Sequence, residues 1–186
     1  MTEPRILEVK IAGTRPLLMH SPAGIGKSTG TKKTTTYDPD EEAASALYKD
    51  KNGTIYVPSL AVLGCMREAG KEHKAKGRGR KSLSKSLVSG LRIEPENIPI
   101  IPQEYVVDAR PVVIQRSRIM RWRPRFEDWK LNFNITILDE TVIDPTTVRN
   151  VLEDAGKFVG LLDFRPMFGT FEITSVKDLS TGKDVK

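Results

Sequence analysis

Five arginines and two aromatic residues stand together in one short stretch, which reads R-S-R-I-M-R-W-R-P-R-F from Arg116 to Phe126. Guanidinium groups bind phosphate oxygens through paired hydrogen bonds, and aromatic rings stack on nucleobases. On a β-strand the arginines at 121, 123 and 125 share one face and the tryptophan lies on the other. The pattern favours contact with a nucleic acid, but it also fits a strand with a buried tryptophan and a merely solvated arginine face. The candidate contacts in this stretch are Arg116, Arg118, Arg121, Trp122, Arg123, Arg125 and Phe126.

Positive charge is concentrated in this region and in two other stretches of the chain. The net charge at pH 7 is +6, yet residues 71–85 alone contain seven Lys or Arg and one Glu. A loop rich in Gly, Ser and Thr over residues 21–38 adds further lysines. The three basic stretches together carry more positive charge than the chain as a whole, so the rest of the chain is acidic overall. Such clustering is typical of a surface that binds a polyanion. The candidate contacts outside the arginine-rich stretch are Lys32, Lys33, Arg67, Lys74, Lys76, Arg78, Arg80, Lys81 and Arg165.

Several classes of protein are disfavoured by composition. The chain has no apolar leader and no apolar run long enough to span a membrane, so we expect a cytoplasmic protein without a membrane partner. Its one cysteine, Cys65, excludes an internal disulfide, and its two histidines are too few for a common zinc site. We interpret Cys65 as a small buried apolar residue and expect neither a metal nor a cofactor.

One stretch imitates a nucleotide-binding motif. Residues 21–28 read S-P-A-G-I-G-K-S, similar to a P-loop, and Asp139 and Glu140 follow an apolar strand as in a Walker B motif. A P-loop needs a helix that begins at its lysine, because the helix N-terminus must face the phosphates. Residues 28–36 read S-T-G-T-K-K-T-T-T, which favours no helix. We therefore prefer a polar turn at Asp139 and Glu140 and disfavour nucleotide binding.

The elements that must position these residues follow from the apolar spacing. Residues 131–137 alternate apolar and polar, and Asp144 and Pro145 are typical of a helix start. We predict strands over residues 5–12, 54–57, 105–107, 111–114, 129–138 and 168–176, and helices over residues 39–48, 60–70 and 82–90 and after residue 144.

This order predicts an α+β fold of the ferredoxin-like or RNA-recognition type, an antiparallel sheet with helices on one face. We expect a single domain over residues 1–186, interrupted by the long loop 21–38 and by the arginine-rich insertion at about 105–128. In such folds the uncovered face of the sheet commonly holds single strands.

The strand-to-helix segment from Ile55 to Gly64 reads I-Y-V-P-S-L-A-V-L-G and is followed by Arg67. It resembles the Y-I-P-G-S-S-L-K-G-x-x-R motif of the RAMP superfamily of CRISPR-associated proteins, in particular the Cas7 backbone subunits. The chain lacks the glycine after Pro58 and has Val62 where the family has lysine. The resemblance therefore implies that Arg67 contacts RNA, but it implies no such contact at position 62, where the family's lysine is absent.

Two further stretches extend the resemblance. Residues 11–18, I-A-G-T-R-P-L-L, are similar to the family's first strand and the start of its long loop. Residues 160–171, G-L-L-D-F-R-P-M-F-G-T-F, are similar to its late glycine-rich turn. The resemblance implies an RNA-recognition-type core, a hairpin insertion used as a thumb, and head-to-tail stacking along a strand. A phage or mobile-element relative without a CRISPR role would share these features.

Together these patterns predict a non-catalytic protein that binds single-stranded RNA or DNA and forms a head-to-tail homo-oligomer along it. Two other functions stay open. One is a RAMP-type endoribonuclease in which an acidic residue of the first loop, such as Asp38, cleaves bound RNA. The other is a structural protein whose basic loops contact another protein.

Overall fold

The computed structural model of the chain describes residues 4–22, 38–75, 79, 81–114 and 116–185. Its strands are β1 (Arg5–Gly13), β2 (Leu17–Leu18), β3 (Tyr56–Pro58), β4 (Leu91–Glu94), β5 (Asn97–Ile101), β6 (Val106–Ile114), β7 (Ser117–Phe126), β8 (Lys130–Ile137) and β9 (Phe171–Asp178). Its helices are α1 (Pro39–Ser45), α2 (Ser59–Ala69), α3 (Ser84–Gly90) and α4 (Pro145–Asp154), and a π-helical turn over Ala155–Val159 continues α4. No helix in these ranges is long and apolar enough to cross a membrane.

The larger sheet has the strand order β3-β5-β8-β1-β9, and β4 also pairs with β8. β1 pairs antiparallel with β8 on one side and with β9 on the other. Successive side chains of a strand point to opposite faces, so the apolar residues of β1 and β8 share one face. That face is buried and contributes Leu7, Val9, Ile11, Leu131, Phe133, Ile135 and Ile137 to the core.

Both long helices cover this apolar face. α2 buries Val62, Cys65 and Met66, and α4 buries a stripe with the same spacing. Asp144 caps α4, because its side chain accepts a hydrogen bond from the backbone N–H of Thr147. The helices therefore lie on one side of an antiparallel sheet, as the sequence predicts, and the α+β class is confirmed.

The arginine-rich insertion forms a β-hairpin. β6 and β7 pair antiparallel along their whole length, from Val106 opposite Arg125 to Ile114 opposite Ser117. β7 also pairs with β2, so the second sheet has the order β2-β7-β6 and β6 is its outer strand. Pro111 lies in the middle of β6. A hairpin insertion, which the resemblance implies, is thus present.

Two residues at the ends of the long helices have distinct backbone roles. Pro58 is the N-cap of α2, with extended backbone angles of φ −61° and ψ 135°. After α4 the π-helical turn runs through Gly156 to Gly160, whose φ is 76°. A Cβ on Gly156 would collide with Phe171, so close packing of the turn on β9 accounts for this glycine.

The P-loop-like segment lies outside the described residues from residue 23 onward. Its proposed partner is described: Asp139 accepts hydrogen bonds from the backbone N–H and the hydroxyl of Thr141. Glu140 forms an ion pair with Arg5 over 2.9 Å. Asp139 and Glu140 thus occupy the polar turn that the sequence favours.

Candidate nucleic-acid interface

The three arginines at 121, 123 and 125 do share one face of β7, and that face points at the protein. Arg121 donates to Glu42 of α1 over 3.1 Å, and Arg123 lies 2.8 Å from a carboxylate oxygen of Asp163. Arg123 is buried, with 11% of its side chain exposed. These guanidinium groups already have carboxylate partners, which a phosphate would have to displace.

Two further arginines of the hairpin, Arg110 and Arg125, also have a carboxylate partner, which lies within the hairpin itself. Arg110 and Arg125 both donate to Asp108, over 3.1 and 2.9 Å, and Asp108 is buried between them. Arg125 also pairs with Glu127. The Arg110 guanidinium lies 4.4 Å from the ring centroid of Phe168. The acidic partners balance the positive charge of this face, and the face fixes the hairpin to the body.

The aromatic residues of the stretch divide between core and surface. Phe126 is 1% exposed and packs against Tyr105 with ring centroids 5.9 Å apart. The expectation that Phe126 stacks on a base is therefore wrong, because a core ring presents no face to a ligand. Trp122 lies half-buried on the opposite face of β7 from the arginines. Trp129 is buried, and its Nε1 donates to the carbonyl of Arg15.

The remaining basic candidates lie at several places. Arg116, with φ 70°, and Arg118 are exposed near the hairpin tip beside Val113. Lys74 and Lys81 are exposed on the segment between α2 and α3. Five candidates lie outside the described residues and stay predictions: Lys32, Lys33, Lys76, Arg78 and Arg80.

Arg67 and Arg165 lie together in a surface groove of about 730 Å³, between α2 and the segment 158–166. Both are exposed, and within the described part of the chain neither forms an ion pair closer than 4.0 Å. The groove is lined by Leu60, Ala61, Gly64, Arg67, Glu68, Phe158, Val159, Leu162, Asp163, Phe164, Arg165 and Pro166.

Helical spacing produces the α2 wall of the groove. The Ser59 N–H donates to the carbonyl of Glu96, which fixes the first turn of the helix to the loop before β5. Residues three and four apart on a helix share a face, so Leu60, Gly64 and Arg67 line up toward the groove. The buried residues of α2, which include Val62, Cys65 and Met66, lie on the opposite side of the helix and pack into the core.

Backbone turns produce the opposite wall. Leu162 and Phe164 have φ values of 58° and 55°, a left-handed conformation that is uncommon for residues other than glycine. The Leu161 N–H donates to the Gly169 carbonyl over 2.8 Å, and the Asp163 N–H donates to the Leu18 carbonyl. These bonds close the segment into a loop that projects Arg165 outward.

The local electrostatics are positive. The pKa of Glu68 is lowered, first by its hydrogen bond from Lys71 and further by the charges of Arg67 and Arg165. Glu68 therefore stays ionised and bound to Lys71. Cys65 lies behind this wall and is buried in the core, as predicted. Burial raises the pKa of its thiol to about 12, so the thiol has little nucleophilic character.

Two further features bear on the alternatives. Asp38, the candidate nuclease residue, caps α1 by accepting a hydrogen bond from the Asp40 N–H. On the uncovered face of the large sheet, the exposed residues of β1, β4 and β8 include Lys10, Arg92, Glu94 and Lys130, a mixed rather than basic set. Among the described residues no group of three or more His, Cys, Asp or Glu is placed to hold a metal ion.

The sequence names Arg67 and Arg165 as candidates, and the fold brings them together, but the sequence does not predict the apolar rim of the groove. Leu60 is 71% exposed and Phe158 is 70% exposed. Leu60 has the apolar character of a core position, and Phe158 follows α4 after a glycine. Nothing in the apolar pattern marks either residue as exposed.

Comparisons with known proteins match this chain by its structure and not by its sequence. No family model matches the chain, and no curated protein matches it. A chain in the cryo-EM structure of the Type III-B Cmr-beta bound to cognate target RNA is similar in structure, with a TM-score of 0.62 and 12% sequence identity. The match covers 95% of this chain and 61% of that chain, so this protein spans less than two thirds of its length. At this identity the likeness shows the fold alone, which also occurs in a chain of that complex with target RNA.

Proposed function

We propose that the chain is a non-catalytic, single-stranded nucleic-acid-binding protein of the RAMP type, similar to Cas7 subunits, that assembles along its strand. The observation that carries the proposal is the pair Arg67 and Arg165, two exposed guanidinium groups in one groove without carboxylate partners among the described residues. The fold likeness to a chain in an RNA-bound assembly supports the same class of ligand.

The groove suits a phosphate backbone better than the arginine face of the hairpin does. A phosphate bound at Arg123 would have to replace Asp163, whereas one bound at Arg67 or Arg165 replaces only water. Charge-assisted hydrogen bonds from guanidinium to phosphate are among the strongest polar contacts in proteins. The proposed phosphate contacts are therefore led by Arg67 and Arg165, with Arg116 and Arg118 at the hairpin tip and Lys74 and Lys81 as further candidates.

The absence of catalysis is part of the proposal. Asp38 is oriented by its own helix, and Asp139 is hydrogen-bonded within a turn. Neither residue lines the groove. The nuclease alternative therefore gains no support from the contacts of these two carboxylates.

The test is the salt dependence of binding to labelled oligouridylate and oligodeoxyuridylate, which differ only in the 2′-hydroxyl. Each phosphate contact to a single strand contributes about 0.7 to the slope of log K against log salt, so Arg67→Ala with Arg165→Ala should flatten it by about 1.4. The matched control is Arg92→Ala with Arg149→Ala, which removes the same charge from other surfaces and should leave a steeper slope than the groove variant. RNA incubated with the wild-type protein and magnesium should be recovered intact.

An identical slope in the groove variant and in its control would contradict the assignment of this groove. Loss of RNA that depends on Asp38 would contradict the non-catalytic part of the proposal. The two oligonucleotides also decide between RNA and DNA, because preference for RNA requires a contact that senses the 2′-hydroxyl.

A further inference from the structure

Three large apolar side chains are exposed in the groove that holds Arg67 and Arg165. Leu60 and Phe158 are 71% and 70% exposed, and Phe164 is 41% exposed. Isolated exposed apolar residues are common, but several around one concave site indicate that something covers them. Contact with phosphates alone would leave these three side chains in water.

The two aromatic rings are held at the groove by different means. Phe158 lies in the π-helical turn that continues α4, and the turn ends at Gly160. Phe164 packs edge-on against Phe168, and the guanidinium groups of Arg123 and Arg110 lie 5.2 and 5.9 Å from its ring centroid. Phe164 is thus supported by the hairpin, whereas Phe158 presents most of its surface to solvent.

We propose that the groove binds one nucleotide of the strand by its base, which stacks on Phe158 while the flanking phosphates bind Arg67 and Arg165. This inference rests on the function proposed above. The chemistry of the lining selects the ligand: a nucleotide combines a flat π surface with adjacent negative charge, and it covers both the rings and the cations. An apolar peptide segment would cover Leu60 and Phe158 but leave both guanidinium groups uncompensated.

The volume and local shape agree with a single nucleotide. A cavity of about 730 Å³ lies within the range of about 300–1,000 Å³ found for small-molecule sites. A Cβ added at Gly64 would meet no atom within 4 Å, so the α2 wall has open space in front of it. A side chain at this position can therefore fill the groove without displacing the core.

The first experiment separates stacking on a base from simple apolar contact. Phe158→Leu keeps an apolar side chain but removes the aromatic ring, and Phe158→Tyr keeps the ring. We expect Phe158→Leu to weaken binding of a normal strand by about 5- to 150-fold and Phe158→Tyr to bind like the wild type. On an oligonucleotide of the same length made of abasic residues, all three proteins should bind equally.

Gly64→Leu provides an independent check. It should keep or raise the thermal midpoint of unfolding, because leucine favours a helix over glycine, and it should weaken binding of normal strands. Leu179→Ala, which removes a half-exposed apolar side chain beyond the end of β9, is the control and should bind as the wild type does.

The outcomes are distinguishable. If Phe158→Leu binds normal strands like the wild type while the Arg67 and Arg165 variant shows the expected flatter salt slope, the base site is wrong and the proposed function stands. Equal weakening on normal and abasic strands would also overturn stacking on a base. If the unliganded protein is an oligomer that Phe158→Leu dissociates, the groove binds a second copy instead. If the arginine variant also binds unchanged, the proposed use of the groove fails as well.

Discussion

Arginine serves two purposes in this chain, and the difference lies in what surrounds each side chain. Arg123 is buried beside Asp163 and under the ring of Phe164, so its charge stabilises the fold. Arg67 and Arg165 are exposed in a groove, so their charges are available to a ligand. The number of arginines alone therefore does not show which of them are open to a ligand, whereas the carboxylate neighbours in the folded chain do.

His20 gives a prediction at this scale, because the folded environment lowers its pKa. The main cause is burial, followed by the positive charge of Arg123, while Asp163, 3.9 Å away, acts in the opposite direction. When pH falls below the unfolded value of about 6.5, the unfolded chain takes up the proton first. Stability should therefore fall as the pH is lowered through about 6.5, and His20→Asn should reduce this fall.

The measurement is the free energy of unfolding in urea at several pH values for the wild type and His20→Asn. Nearby charges of Arg121 and Glu42 also act on His20, so the comparison is made between the two proteins rather than with an absolute value. Parallel pH profiles would show that protonation of His20 is not linked to folding.

At the scale of elements, the arginines of the hairpin pair with acidic residues from three parts of the chain, and two of these residues lie outside the hairpin and hold it to the rest of the protein. Glu42 comes from α1, Asp163 from the loop beside the groove, and Asp108 from the hairpin itself. Asp163 lies between Leu162 and Phe164, which line the groove. The hairpin and the groove therefore share one anchor.

Asp163→Asn should destabilise the protein by about 1–3 kcal/mol, because it leaves the buried Arg123 without a charged partner. Glu153→Gln is the control: it breaks the exposed pair with Lys157 and should cost at most about 1 kcal/mol. Urea unfolding measures both. Equal costs would mean that the Arg123 pair does not anchor the hairpin.

Gly169 tests the wall of the groove. Gly169 has φ 72°, and a Cβ there would collide with the Leu161 carbonyl; Gly53 has φ 86° and open space around it. Gly53→Ala should cost about 1 kcal/mol from backbone strain alone. Gly169→Ala should cost distinctly more, and thermal unfolding would measure the difference. Equal costs would show that the loop relaxes around the added methyl group.

Much of the fold follows from local sequence, and most of the site does not. The alternation over residues 131–137, the Asp144 cap and the hairpin strands depend on neighbouring residues, so the sequence predicts them. The pairing of Arg121 with Glu42 joins residues that are distant in sequence, and periodicity identifies a face without showing what it meets. For the same reason, the sequence identifies Phe126 as aromatic but does not show that it is buried.

At the scale of the whole molecule, the proposed contacts are spread over separate surfaces. The groove lies between α2 and the 158–166 loop, while Arg116 and Arg118 lie near the hairpin tip. A domain of this size holds only a short segment of single strand, roughly 4–16 nucleotides if an OB-fold is a fair guide. Under the proposed function, contacts on separate surfaces would reach nucleotides that a neighbouring copy holds, and this would favour head-to-tail assembly.

Binding to long strands should therefore be cooperative, and the mass of the complex should rise with strand length. Light scattering with oligonucleotides of about 10, 20 and 40 residues would measure this, with protein in excess over binding sites. One protein per strand at every length would contradict assembly along the strand.

Pro111 reduces the risk that β6 pairs with the strand edge of another molecule when the local concentration of the protein is high. β6 is the outer strand of its sheet, and an exposed strand edge can pair with the edge of another molecule and begin aggregation. Proline has no N–H donor, and the pairing of β6 with β7 continues through Pro111 opposite Met120, so the missing donor lies on the outward edge. The row of donors open to solvent is interrupted at the middle of the strand. If copies gather on one nucleic acid, as proposed, this interruption would keep them from joining into a continuous intermolecular sheet.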